Sequence, residues 1–161
     1  MENALGKGLL VLRDNINKAL TEAMKAKNER AVSTLRLVNS ALKNADIEAR
    51  GAGKPALGDA EVLSLLQKMI KQRQESVLLY EKGGRADLVK QEQDEIAIIQ
   101  GYLPKQMSDA EMTAAIDTAI KDTGAASMKD MGKVIGALRG KYAGQIDIGR
   151  ASAMVKTKLQ Q

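Results

Sequence analysis

EVLSLLQKMIKQRQESVLLYEKGGRADLVKQEQDEIAIIQGYLP, residues 61–104, decides the fold class. It reads as two long helical runs parted by Gly83-Gly84, a pair of glycines that stops a helix. The second run carries Leu88, Ile96 and Ile99 on its inner side and ends at Leu103-Pro104. A residue before proline avoids helical dihedrals, so a subdomain boundary is placed there. The prediction is an all-α protein: an N-terminal helical hairpin bundle of four helices (1–103) and a small C-terminal three-helix subdomain (104–161).

Working back from residue 61, the third helix starts near Asp59, with Gly58 and Glu61 forming a weakened capping box. GAGKPALG, residues 51–58, is a loop by its glycines and proline. Before it, Asn28 caps a helix that runs to about Arg50 with Val32, Leu35, Val38 and Leu42 inward. A first helix, from about Leu5 to Lys25, lines up Leu9, Leu12, Ile16, Leu20 and Met24. Beyond Pro104, Ser108 and Glu111 make a capping box for a helix over 109–122, closed by Gly124. Ser127 caps a glycine-striped helix with Asp130 in its first turn, and Asp147 caps a last helix over 148–160.

Composition supports this reading. The 161 residues include no Phe or Trp, three Tyr and eight Met, so the interior is aliphatic, with methionine filling gaps. Few β-branched or aromatic runs compete for strand. No apolar stretch approaches the roughly 20 residues that span a bilayer, so no membrane partner is expected. No leader precedes the first helix, and a cytoplasmic location is the default expectation. There is no Cys and no His. That removes the usual zinc ligand sets and the Ser-His and Cys-His nucleophile pairs, so no metal, cofactor or catalytic residue is assigned. Carboxylates in runs such as KQEQDEIAIIQ read as a solvated face. An enzyme acting alone is not indicated.

Charge is unevenly placed. Residues 1–124 balance at 18 basic and 18 acidic side chains. Residues 125–161 hold seven basic side chains against Asp130 and Asp147, the whole net excess of +5. An anionic partner is expected at that end, nucleic acid before membrane.

In SMKDMGKVIGALRGKYAG, residues 127–144, glycine recurs every fourth residue at 132, 136, 140 and 144. On a continuous helix Met131, Val134, Ile135 and Leu138 share the core side. Gly132, Gly136 and Gly140 share the adjacent side with Lys129, Lys133 and Arg139. Close helix packing is one reading of the stripe, strongest at Gly132. Gly140 and Gly144 are expected to end the helix and form the following turn. The other reading is close approach of a nucleic-acid backbone, with lysines meeting phosphates. Scarce aromatics leave no stacking platform for single strands, so folded, largely paired RNA fits better.

YLPKQMSDAEM (102–112), GAASMKDMGKVIGALRGKYAGQIDIGRASAMVKTKL (124–159) and the run from Leu65 to Gln106 resemble the GatB/YqeY family. The similarity covers essentially the whole chain, strongest from Leu66 to Leu159. It is to a free-standing, bacterial member of a family whose domain also forms the tail of the tRNA-dependent amidotransferase B subunit. The resemblance implies an all-α fold of two subdomains and an accessory module that binds tRNA. Carried onto this sequence, the contact residues are Lys129, Gly132, Lys133, Gly136 and Arg139, with Lys156 in the last helix. Amidotransferase subunits or another protein are further partners that it implies. The kinase-like cradle and glutaminase subunit of that enzyme have no counterpart in these residues. A label of carbon–nitrogen ligase with glutamine as amide donor would therefore carry over without its machinery. A protein–protein adaptor, with a partner helix on the glycine face, is the alternative. Gly58 departs from the family's frequent Ser or Thr cap.

Overall fold

The computed structural model describes residues 4–160, with side chains from Leu12 onward, and its regular structure is helical throughout. The all-α expectation is met. Contacts divide the chain into two compact units, the first ending at Leu103 and the second starting at Pro104.

In the first unit, helices α1 (Ala4–Lys25) and α2 (Glu29–Gly51) form a hairpin with a three-residue connection. Lys27 closes α1 in the left-handed region at φ 55°, and the Asn28 amide donates back to the Ala23 carbonyl at 2.9 Å. Asn28 then caps α2, its Oδ1 accepting the Ala31 amide at 3.2 Å. Helices α3 (Asp59–Lys82) and α4 (Ala86–Gln100) make the second hairpin, turning through Gly84 at φ 67°. Gly58 lacks the hydroxyl half of a capping box, yet its amide donates to Glu61 Oε2 at 3.0 Å.

Ile16, Leu35, Val38, Leu42, Val62, Leu66 and Ile99 form the buried centre of this unit. One expectation for α1 changes. Met24 is 51% exposed, because the inward position in the last turn of α1 belongs to Ala23. Leu9 lies outside the residues whose side chains are described. The charged run of α4 also holds a surprise: Glu95 is buried. It stands one turn before Ile99 on the inward side, and Arg73 Nε reaches its Oε2 at 2.9 Å.

The loop over 51–58 is tied down by a clamp. Arg13 donates to both Asp46 oxygens at 2.9 and 2.7 Å and to the Leu57 carbonyl at 3.3 Å. The Leu57 amide donates to Asp46 Oδ1 at 2.9 Å. The Arg13 hydrogen bonds, then the Leu57 amide, hold the Asp46 carboxyl below its ordinary value of 3.8. Because the folded value lies below the unfolded one, this contribution is complete above 3.8 and is lost as pH falls through the folded value. Asp46→Ala is expected to destabilise the unit by about 1.5–3 kcal/mol at pH 7. Denaturant unfolding at pH 7 and pH 3 should show the gap from wild type narrowing in acid.

The second unit contains α5 (Asp109–Thr123), a 3-10 turn (Met128–Asp130), α6 (Met131–Lys141) and α7 (Ile148–Leu159), each α-helix touching the other two. Ser108 Oγ accepts the Glu111 amide at 3.2 Å and Glu111 Oε1 accepts the Ser108 amide at 3.4 Å. Gly124 closes α5 at φ 66°, and Asp147 Oδ1 accepts the Arg150 amide at 3.2 Å. Met112, Ile116, Val134, Leu138, Ile146 and Val155 make a separate aliphatic core. Arg150 pairs with Asp109 and Lys158 with Asp117, coupling α7 to α5. At the unit's entry, the Met107 amide donates to the Gln145 carbonyl at 2.9 Å, binding the incoming chain to the α6–α7 turn.

The glycine-striped helix is shorter than expected. The Asp130 carboxylate accepts the Ala126 amide at 2.9 Å and the Ser127 amide at 3.3 Å, tightening residues 128–130 into a 3-10 turn. The α-helix proper starts at Met131. Gly140 lies inside it rather than ending it, and Gly144 at φ 75° makes the turn beyond.

Candidate nucleic-acid interface

Val134 and Leu138, four residues apart, are buried and seat α6 on the second core. That register leaves Gly132, Gly136 and Gly140 on the exposed side. A β-carbon built on any of the three would meet no other part of the unit within 4 Å. Close packing inside this unit, one of the two readings of the stripe, is therefore absent among the described residues. Each interior glycine nonetheless weakens a helix by about 0.5–1 kcal/mol relative to alanine. The fold itself gains nothing from three of them in eleven residues.

The sequence-derived candidates fall into three groups. Gly132, Lys133, Gly136 and Arg139 stand together on α6. Lys129 lies before it on the 3-10 turn, where each residue advances about 120° instead of 100°. Its position relative to the stripe thus differs from that on a continuous helix. Lys156 is on α7, beside the buried Val155 and apart from the ribbon. All of the cations named are exposed.

Pairing separates the basic residues further. Among the described residues, Lys129, Arg139 and Lys156 have no ion-pair partner, whereas Arg150 and Lys158 are taken up by α5. Lys133 Nζ stands 3.9 Å from Asp130 Oδ1 with its side chain 71% exposed, a separation and exposure at which an ion pair contributes little. The amides of Ala126 and then Ser127 hold the Asp130 carboxyl below its ordinary range, so this acid stays ionised and engaged with backbone. Lys129, Lys133 and Arg139, on α6 or just ahead of it, are thus left without a strong partner.

Sequence reasoning passed over two neighbours of the ribbon. Met128 is 40% exposed just ahead of α6. Lys141 ends the helix with its Nζ 5.5 Å from the centre of the Tyr142 ring, a cation–π contact. The adjacency of Lys and Tyr in GKYAG was the available signal. Among the described residues no group of three acidic side chains is placed to hold a metal ion, and no helix is long and apolar enough to cross a membrane.

Comparison with known proteins adds a lineage. Residues 13–159 match the family model described as Yqey-like protein. Among curated relatives, altered inheritance of mitochondria protein 41 of Lachancea thermotolerans is 34% identical over 110 residues, which are 67% of this chain and 57% of that protein. The protein of the same name from Pyrenophora tritici-repentis is 29% identical over 136 residues, 81% of this chain and 73% of its own length. The one from Vanderwaltozyma polyspora is also 29% identical over 136 residues, 81% and 70% of the two chains. This chain therefore spans little more than half of the first relative. All three carry mitochondrial in their names, which overturns the cytoplasmic expectation. That expectation rested on the absence of a leader, and such an absence says nothing about compartment. The fungal sources do not support the bacterial origin that the resemblance suggested.

Proposed function

The chain belongs to the Yqey-like protein family, and from that footing we propose that its second unit binds folded RNA, tRNA foremost. It acts as an accessory module, kin to the tail of the tRNA-dependent amidotransferase, and performs no amide transfer of its own. The names of its relatives point to a mitochondrial setting for this role.

One observation carries the reading. The open glycine ribbon of α6 is bordered by cations free of strong partners, and nothing within the fold accounts for the glycines. Bare backbone lets sugar and phosphate approach closely, while Lys129, Lys133 and Arg139 supply charge to meet phosphates. With Tyr142 its single aromatic side chain, the unit has no platform for stacking successive bases, so recognition is by shape.

The test is the salt dependence of binding to an unmodified tRNA. Each phosphate contact contributes about 0.7–0.9 to the slope of log affinity against log salt. Wild type is expected to show a clear negative slope, and Lys129→Ala/Lys133→Ala a shallower one by roughly 1–2 with weaker binding throughout. Salt-insensitive association in both proteins would refute the proposal and favour a protein partner on the ribbon.

A further inference from the structure

The α3–α4 hairpin changes character halfway along. From Val62 to Ile70, α3 contributes four buried apolar residues to the core, and α4 returns to it at Ile96 and Ile99. Between them, residues 71–94 contain no buried side chain, and none joins that core. Twelve helical residues past Ile70 make an extension about 18 Å long. Val77, Tyr80, Leu88 and Val89 are half-buried, while Leu78 and Leu79 are 59% and 67% exposed. The ion pairs Arg85–Asp87 and Lys90–Asp94 are exposed and local to α4 and its N-cap residue, so neither ties the stretch to another helix.

At the base of the extension the picture reverses. Arg73 and Glu95 pair at 2.9 Å with side chains only 13% and 8% exposed. Arg73 also donates to the Met69 carbonyl at 3.1 Å, and Gln91 to Glu95 Oε1 at 3.4 Å. This cross-helix cluster sits where the apolar core ends.

The geometry points to a hinged arm: residues 71–94 open and close as a unit while the bundle beneath stays folded, with the Arg73–Glu95 pair as the latch. With none of residues 71–94 buried, this stretch covers too little apolar surface to match the stability of the core. Opening parts α3 from α4 along the stretch that carries the half-buried Val77, Tyr80, Leu88 and Val89. Because the pair spans the two helices at the base, full opening must break it.

Native-state hydrogen exchange on the whole chain tests both parts. Amides of 74–82 and 86–92 are expected to exchange on the order of a hundredfold faster than those of 62–70, with little dependence on denaturant. Equal protection with equal denaturant dependence would overturn the arm. In Glu95→Gln both sets should accelerate by a common factor on the order of a hundredfold, since the pair breaks in both openings. Acceleration confined to 62–70 would show that arm opening leaves the pair intact, refuting the latch. Should Glu95→Gln fail to fold, Arg73→Lys keeps the charge but loses the fork, and the same comparison holds with a smaller factor.

Discussion

Leu138→Ala is expected to unfold residues 104–161 while the first unit keeps its own transition. Leu138 is 1% exposed, packed with Met112, Ile116, Val134 and Val155 in the second core. Truncating a buried leucine to alanine costs about 2–5 kcal/mol, through lost transfer energy and the cavity left behind. A unit of this size seldom has more than about 3–5 kcal/mol to lose. The first core draws its members from Leu12 to Leu103 and shares none with the second. Circular dichroism should therefore lose the signal of α5, α6 and α7 and retain a cooperative melt from the rest, with RNA binding abolished. A single melt shifted as a whole would show that the two units unfold together.

The second large effect concerns the ribbon, where stability and binding are expected to move in opposite directions. Gly132→Gln/Gly136→Gln replaces bare backbone with long, neutral side chains that favour helix. Neither position has a neighbour within 4 Å of a new β-carbon. Each change should then stabilise α6 by roughly 0.5–1 kcal/mol. Charge is untouched, so long-range attraction to RNA persists, but close approach is blocked. Affinity for tRNA is expected to fall on the order of tenfold or more, a loss of about 1.4 kcal/mol per tenfold step. If the double variant were destabilised, an unseen packing role for the glycines would follow.

The fold was largely legible because local signals agreed with one another. Asn28, Ser108 and Asp147 stand at helix starts and accept the amides expected of caps. Gly84 and Gly124 take the left-handed conformations that helix ends favour. Signals failed where tertiary contacts decided. The Arg73–Glu95 pair joins residues 22 apart, so Glu95 looked like any other carboxylate in a charged run. Asp130 converts the start of the striped helix into a 3-10 turn by accepting two amides, and that moved Lys129 out of the α-helical register. Of the proposed contact residues, Gly132, Lys133, Gly136 and Arg139 could be grouped from spacing alone, because they lie on one uninterrupted helix. Which cations are already paired could not, since Asp109 and Asp117 reach α7 from 41 residues away.

The most direct measurement is fluorescence polarisation of a labelled, unmodified tRNA titrated with the whole chain at low and moderate salt, wild type beside Gly132→Gln/Gly136→Gln. Wild type is expected to bind in a salt-sensitive manner, and the variant to lose that binding while melting no lower. Equal binding by the two proteins, or none by wild type even at low salt, would contradict the proposal.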